Sequence, residues 1–126
     1  MKARESALKL KRFEADEKAR KVADLEQMIH EFETMAHDLD RQIQAEEDRT
    51  GIKDPTHFAY STFAKSAGQR RDNLRASIGE LKGRLEVAQK ERDEAIEQLA
   101  RVSAPEQRDE NPRHRRAEAT RTAVLR

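Results

Sequence analysis

One short stretch near the middle of the chain decides the fold: Thr50-Gly51-Ile52-Lys53-Asp54-Pro55-Thr56. Glycine suits the position just after a helix end, because the left-handed backbone conformation costs it little, so Gly51 predicts the end of one helix. The Asp54 carboxylate can cap free backbone N–H groups, and proline is tolerated at the first helical position. Asp54 and Pro55 therefore predict the start of a second helix, after a turn over residues 50–56.

Two long helix-favouring segments flank this turn. Residues 2–49 contain neither Gly nor Pro, and a second segment over 55–102 ends before Ser103-Ala104-Pro105. Because the two segments are nearly equal in length, the chain can fold back on itself. The sequence therefore predicts an all-α protein, a long antiparallel two-helix coiled-coil hairpin over residues 1–103. The remaining residues, 104–126, contain prolines and scattered arginines and are expected to form a disordered, flexible tail.

The composition also favours long helices over a globular core. Of 126 residues, 40% are charged, 35% are hydrophobic and 4% are aromatic, and there is no Cys or Trp. So little apolar bulk suits packing along a narrow seam. The absence of Cys excludes disulfides, thiolate nucleophiles and Cys-based zinc sites. With no membrane-length apolar run and no signal-peptide pattern, a cytoplasmic location is expected.

Apolar residues recur with heptad spacing in both segments, which predicts the seam between the helices. In the first helix one row repeats every seven residues, and a second row fills the alternate layer. The second helix has two comparable rows. The predicted seam residues are Leu8, Ala15, Val22, Ile29, Ala36 and Ile43 with Leu25, Phe32 and Leu39, and then Tyr60, Ala67, Leu74, Leu81, Ala88, Ala95 and Val102 with Ala64, Ile78, Leu85 and Leu99.

The rows also predict a register in which Ile43 faces Tyr60. Far from the turn the seam contains charged residues, and in this register Lys11 faces Arg92, so that end is expected to pack more loosely. One edge of the hairpin is expected to be charge-complementary. The predicted polar pairs are Glu26 and Glu33 beside Arg75 and Lys82, and His57 opposite Glu46.

Residues capable of catalysis or metal binding are present but do not form a recognisable set. No Gly-x-x-x-x-Gly-Lys phosphate loop occurs. His30 and His37 lie two helical turns apart with Glu33 between them, which is too small a set for a metal ion. Carboxylates on a coiled coil are expected to be solvated surface charge. We therefore expect no enzymatic activity, no cofactor, no metal and no small-molecule substrate.

The C-terminal residues contain a modest basic cluster, Arg113-His114-Arg115-Arg116. Clustered cations favour phosphate contacts, but acidic residues dilute this cluster and no aromatic side chain nearby can stack on a base. A nucleic-acid partner is therefore not expected, and an RNA-associated hairpin acting through residues 104–126 is the weaker alternative.

Large apolar residues outside the seam are candidates for contact with other proteins. Met28, Met35 and Phe63 lie on one edge, and methionine adapts readily to different partners. Leu10 and Phe13 point away from the seam, and Ile96 lies on the flank of the second helix. The alternatives are that the methionines only widen the core and that a distorted heptad buries the Leu10 region.

Two segments resemble a known family. They are LKRFEADEKARKV at residues 10–22 and HFAYSTFAKSAGQRRDNL at residues 57–74. Both resemble the FliJ family of bacterial flagellar export proteins, in particular its alphaproteobacterial branch. The second segment is the more specific, through its Phe/Tyr spacing and the run Arg70-Arg71-Asp72-Asn73. The resemblance covers about residues 1–100.

The resemblance implies a non-catalytic component of the flagellar type III export apparatus, needed for flagellum assembly and motility. Members of this family are antiparallel coiled coils similar to the stalk of rotary ATP synthases. They contact the export ATPase ring, the membrane export gate and the export chaperones, so the chain would be cytoplasmic and peripheral at the inner membrane only through protein partners. Carried onto this sequence, the residues implied to enter the ATPase ring are Leu10, Phe13, Arg92 and Ile96, and those implied to face the gate are Met28, Met35, Phe58 and Phe63.

An alternative function belongs to a different class. A generic coiled-coil adaptor, or the stalk of a non-flagellar type III secretion system, would show the same composition, the same heptads and the same exposed apolar residues. Self-association of the hairpin is also left open by the sequence, because a single seam leaves two broad faces in water.

Overall fold

Two long helices make up most of the structure. The computed structural model describes the backbone of residues 2–110 and the side chains of residues 2–103. Helix α1 covers Lys2–Thr50 and helix α2 covers Thr62–Glu110, and no strand occurs within the described range. The helices pair antiparallel, so the predicted all-α, two-helix hairpin is confirmed.

The end of α1 is built as the sequence predicts. Gly51 has a positive φ of 75°, and its N–H donates to the Glu47 carbonyl at 2.8 Å. This bond is the usual closure of a helix that ends in a left-handed residue. The Ile52 N–H then donates to the Thr50 hydroxyl at 3.3 Å, which satisfies the next free backbone group.

The predicted start of the second helix at Pro55 is wrong. Asp54 Oδ1 accepts from the Thr56 N–H at 2.9 Å, and the His57 N–H donates to the Asp54 carbonyl at 3.0 Å. These bonds form a β-turn with Asp at its first position and Pro at its second, the positions that both residues favour. Asp54 therefore caps a turn, although the same Asp-Pro pair is also typical of a helix start.

Helix α2 starts instead at Thr62, after a connection over 51–61. The Ser61 hydroxyl accepts from the Ala64 N–H at 3.2 Å, and the Lys65 N–H donates to the Ser61 carbonyl at 3.0 Å. Ser61 is thus the N-cap of α2. The predicted turn over 50–56 is correspondingly too short.

The predicted end of the second helix at residue 102 is also wrong, because α2 continues past Pro105 to Glu110. The Ser103 hydroxyl donates to the Leu99 and Ala100 carbonyls at 3.1 and 3.2 Å, a pattern that serine adopts inside helices. The preference of a residue before proline for extended backbone is only a bias. Residues 104–110 of the predicted tail therefore belong to α2, and the rest of the tail lies outside the described residues.

The chain divides into two units, each of which contains part of both helices. The central unit is residues 21–88. The terminal unit combines the described residues of the ranges 1–20 and 89–126. In the central unit, buried aliphatic residues form two clusters, with Phe32, Leu85, Tyr60 and Leu74 packed against them. The two clusters are Val22, Leu25, Ile29, Ile78, Leu81 and Ala88, and Leu39, Ile43, Ala64 and Ala67.

The terminal unit has a thinner apolar seam. Its buried hydrophobic residues in the described range are Ala15 and Ala95, and Leu8, Leu99 and Val102 are half-buried. Every buried hydrophobic residue of both units belongs to the predicted rows, so the predicted seam is confirmed.

The predicted register is wrong by about one heptad. Lys11, expected opposite Arg92, lies beside Gln98, with Nζ 3.2 Å from Oε1. Ile43, expected opposite Tyr60, reaches Gly68, where an added Cβ would lie 4.0 Å from Ile43 Cδ1. Because α2 starts at Thr62 and not at Pro55, each residue of α1 faces a residue one heptad later. A shift of one heptad keeps the same rows buried.

Candidate docking surfaces

Apolar side chains that the sequence nominated for docking remain exposed. Leu10 is 55% exposed and Phe13 is 61% exposed, so the alternative in which a distorted heptad buries them is wrong. Phe58, in the connection, is 97% exposed. The exposed nominated residues are Leu10, Phe13, Met28, Met35, Phe58, Phe63 and Ile96.

The predicted set of exposed docking residues differs from the structure at two positions, Arg92 and Val87. Arg92 is half-buried, with its guanidinium 3.2 Å from the Asp93 carboxylate. Val87 is 56% exposed and was not nominated. Val87 lies between Glu86 and buried Ala88, outside both seam rows, and this placement of an aliphatic residue was the signal that sequence reasoning passed over.

One edge of the central unit is closed by polar contacts between the helices. Asp40 accepts from Arg71 at 2.9 Å and from Arg75 at 2.8 Å. Lys82 Nζ lies 3.7 Å from Glu33 Oε2. The hydrogen bond between Arg71 and Asp40 is the main reason that the pKa of Arg71 lies above its usual value. We call this side the ion-pair edge, defined by Glu33, Asp40, Arg71, Arg75 and Lys82.

The same edge continues toward the connection. The Tyr60 hydroxyl donates to Glu47 Oε2 at 2.7 Å, and this hydrogen bond raises the pKa of Tyr60. The predicted pair of His57 and Glu46 is wrong. Glu46 accepts from Arg49, which lowers the pKa of Glu46, whereas His57 Nδ1 accepts from the Ala59 N–H at 3.0 Å. Because α2 starts at Thr62, His57 lies in the connection and not in the second helix, where the predicted register had placed it opposite Glu46.

The opposite edge of the central unit carries the exposed methionines. Met28 and Met35 directly precede the buried residues Ile29 and Ala36, and Phe63 directly precedes buried Ala64. In an antiparallel pair these heptad positions lie on one common edge. Arg70 and Arg84 occupy the same heptad position of α2. We call this the methionine edge, defined by Met28, Met35, Phe63, Arg70 and Arg84.

The two edges differ in how their charges are satisfied. On the ion-pair edge, Asp40 alone contacts two guanidinium groups. On the methionine edge, neither Arg70 nor Arg84 forms an ion pair with any described residue. The methionine edge therefore combines exposed apolar groups with unpaired cations, a combination suited to contact with another macromolecule.

The connection adds a small aromatic surface to the central unit. His57 and Phe58 stack with ring centroids 4.7 Å apart and an interplanar angle of 21°. Two backbone turns hold this pair, since the His57 N–H donates to Asp54 and the Tyr60 N–H donates to the His57 carbonyl, each at 3.0 Å. Phe58 is thus presented to solvent by ordered backbone.

The terminal unit carries its own exposed apolar group. Leu10 and Phe13 are three residues apart and share the outer side of α1, beside Lys9 and Arg12. Neither of these cations forms an ion pair within the described part of the chain. This surface is basic and apolar, whereas the seam below it is occupied by the Lys11 and Lys18 side chains.

One carboxylate in a cleft of the central unit is committed to structural contacts. A cleft of about 270 Å³ on the ion-pair edge is lined by Glu33, His37, Asp40 and Arg75 among others. Because Asp40 already binds two guanidinium groups, it is poorly placed to act as a general base. Among the residues that the structure describes, no three His, Asp or Glu side chains converge to hold a metal ion. Neither helix contains, within its described residues, a segment sufficiently long and apolar to cross a membrane.

Fold and surfaces together define a helical hairpin with exposed apolar docking candidates on each unit. No family model, curated protein or solved structure matches the chain. The resemblance to flagellar export proteins therefore stays a prediction from the sequence.

Proposed function

We propose that this chain is a non-enzymatic docking protein of the flagellar type III export apparatus. In this role the hairpin couples the export ATPase ring to the membrane export gate and to the export chaperones. It works in the cytoplasm and reaches the inner membrane only through these protein partners. The observation that carries the proposal is the exposure of large apolar side chains on both units of a hairpin whose seam is already filled.

Exposed apolar residues on a small hairpin favour a binding role over a catalytic one. Leu10, Phe13, Met28, Met35 and Phe63 are each at least 40% exposed, whereas the residues that fill the seam, such as Ile29, Ala36 and Ala64, are buried. Large exposed apolar groups typically mark contact with another macromolecule. Buried aromatic and aliphatic anchors contribute most of the energy of such contacts.

Two separate surfaces suit a coupling role. The terminal unit presents Leu10 and Phe13 beside cations, and the central unit presents Met28 and Met35 on the methionine edge. In the proposed assembly the first surface binds the ATPase ring and the second binds the gate. Coupling requires that contacts at one surface differ between states of the partner at the other.

The proposal is tested by pull-down of the purified chain with the export ATPase and with the cytoplasmic part of the gate protein. Phe13→Ala should weaken ATPase binding and leave gate binding unchanged, and Met35→Asp should do the reverse. Each variant is thus the control for the other. Loss of one buried anchor is worth about 1–2 kcal/mol, or roughly tenfold in affinity. Unchanged binding by both variants would remove the two-surface assignment.

A broader experiment separates flagellar export from the alternatives. The tagged chain is purified from a flagellated alphaproteobacterial host, and the proteins that accompany it are identified by mass spectrometry. Flagellar export components support the proposal. Recovery of components of a non-flagellar secretion system, or of unrelated coiled-coil proteins, would favour the stalk or adaptor alternative instead.

A further inference from the structure

The methionine edge has an ordered pattern of charge. Met28 and Met35 are flanked on the outer side of α1 by a row of acids, Asp24, Glu31 and Asp38, which lie three or four residues from a methionine. On the inner side, across the seam, lie the arginines of α2. The edge is therefore acidic along one side and basic along the other, with apolar side chains between them.

The heights of these groups along the helices follow from observed contacts. Because Arg71 contacts Asp40 and Ile43 reaches Gly68, Arg84 of α2 lies within about one helical turn of both Asp24 and Glu31. Because Arg71 contacts Asp40, Arg70 lies within about one helical turn of Asp38. Each arginine of the methionine edge therefore lies within about one helical turn of a member of the acidic row.

Within the described part of the chain, these charged groups have either no ion-pair partner or only an exposed one. Arg70 and Arg84 form no ion pair with a described residue. Glu31 and Asp38 have exposed partners within α1, Gln27 at 3.1 Å and Arg41 at 2.8 Å. Exposed pairs of this kind contribute about 0–1 kcal/mol, so they can exchange for a better partner at little cost.

A second copy of the chain satisfies this pattern in one orientation. In this orientation the two copies point in the same direction and are related by a twofold axis parallel to the helices. Their methionine edges face each other, and the acidic side of each edge lies opposite the basic side of the other. The acidic row of each copy then meets the arginines of its partner. In the antiparallel arrangement the acidic rows would face each other and repel.

We propose that the methionine edge is a self-association surface, through which two copies form a parallel, side-by-side pair. Because the proposed gate contact uses the same methionines, the pair is the form of the free chain, and binding to the gate separates the two copies. Met28 meets Met28 and Met35 meets Met35 near the twofold axis, while Arg70 and Arg84 of each copy contact the acidic row of the other. Methionine suits such a contact because its unbranched side chain repacks easily. With so few apolar residues the pair is weak, with a dissociation constant of about 10–100 μM.

Sedimentation equilibrium of the purified full-length chain tests the pairing. We expect a concentration-dependent rise from the monomer mass of 14.6 kDa toward twice that value. Met28→Asp with Met35→Asp should raise the dissociation constant about tenfold or more, whereas Phe58→Asp, an equally drastic change in the connection, should leave it unchanged. Circular dichroism confirms that each variant keeps its helices. A wild-type chain that stays monomeric up to about 0.5 mM would overturn the proposal.

A charge exchange tests the role of the two charged rows. One variant carries Arg70→Glu and Arg84→Glu, and the other carries Asp24→Lys, Glu31→Lys and Asp38→Lys. Each alone places like charges opposite each other and should be monomeric, but a mixture of the two should form a heterodimer. Failure of the mixture to associate, with both variants folded, would show that the charges do not guide the contact.

Cysteine cross-linking tests the orientation, since the natural sequence has no cysteine. In the parallel pair, Met28→Cys chains should form disulfides with each other, and so should Met35→Cys chains. In the antiparallel pair, cross-links would form between a Met28→Cys chain and a Met35→Cys chain. Preferential mixed cross-links would overturn the parallel arrangement. Because all three tests use the purified chain alone, their failure is distinct from a failure of the proposed export role.

Discussion

The central and terminal units are made from the same two helices but differ in what fills the space between them. In the central unit, branched and long aliphatic residues such as Val22, Leu25 and Ile29 are at least 94% buried. In the terminal unit the buried positions are alanines, and Lys18 occupies a seam position where its Nζ lies 3.1 Å from Glu91. One unit is held by apolar packing and the other largely by alanine and a salt bridge.

This difference predicts unequal stability. Burial of one Leu or Ile side chain contributes roughly 1.5–3 kcal/mol, whereas an exposed or half-exposed ion pair contributes about 0–1 kcal/mol. The expectation that like charges oppose each other in this part of the seam is wrong. Lys11 bonds to Glu14 and Gln98, and Lys18 bonds to Glu91. The terminal unit nevertheless has little apolar burial and should open more readily.

The largest effect is expected from a matched pair of leucine truncations. Leu25→Ala should reduce the free energy of unfolding by about 2–4 kcal/mol, because Leu25 is buried in the larger cluster. Leu99→Ala, in the half-buried seam of the terminal unit, should cost less than about 1 kcal/mol. Urea denaturation followed by circular dichroism measures both. Equal losses would break the contrast between the two units.

A smaller gain is expected when the terminal unit receives an apolar seam residue. Lys18→Leu replaces a half-exposed ion pair by an aliphatic side chain at a seam position, and we expect about 1 kcal/mol of stabilisation. Hydrogen exchange should show slower exchange for amides of residues 9–20 in this variant. The control is Arg20→Leu, on the exposed side of α1 beside Glu17, which should give no protection.

The smallest effect concerns the end of the central unit, where Tyr60 donates to Glu47. The chain has one tyrosine and no tryptophan, so the change in ultraviolet absorbance on ionisation of a phenol follows Tyr60 alone. Because the hydrogen bond to Glu47 raises the pKa of Tyr60, its titration midpoint should lie above the usual value of 10.0. The folded state is favoured by this bond below that value and loses the contribution as the pH rises through the folded pKa.

Glu47→Gln provides the matched control for this titration. The amide cannot carry the negative charge that opposes ionisation of the phenol, so the midpoint should move down toward the usual value. A wild-type midpoint at or below 10.0 would contradict the contact between Tyr60 and Glu47.

Periodicity predicted the buried residues but could not fix their partners. Ala15, Val22, Ile29 and the other seam residues follow from the heptad spacing, because only one stripe of each helix can be buried. The register failed because a heptad pattern matches itself after a shift of seven residues. Lys11 therefore faces the region of Gln98 in place of Arg92, and only the length of the connection distinguishes the two alternatives.

The candidate surfaces were partly predictable for the same reason. Exposure of Phe13 and Met35 follows from their positions outside the seam rows, and Val87 satisfied the same criterion although it was passed over. The pairing of Asp40 with both Arg71 and Arg75 was not predictable, since it depends on the shifted register. Ser61, the actual cap of α2, was a readable signal that the Asp-Pro pair overshadowed.

The sequence by itself determined that the chain forms two helices, which of their residues are buried and where the first helix ends at Gly51. These properties depend on local backbone preference and on hydrophobic periodicity, which are written in neighbouring residues. The tertiary structure decided the start of α2, the register and which charged residues of the ion-pair edge pair with each other. Each of these depends on contacts between residues far apart in the chain, and a repeating pattern offers several nearly equivalent ways to make them.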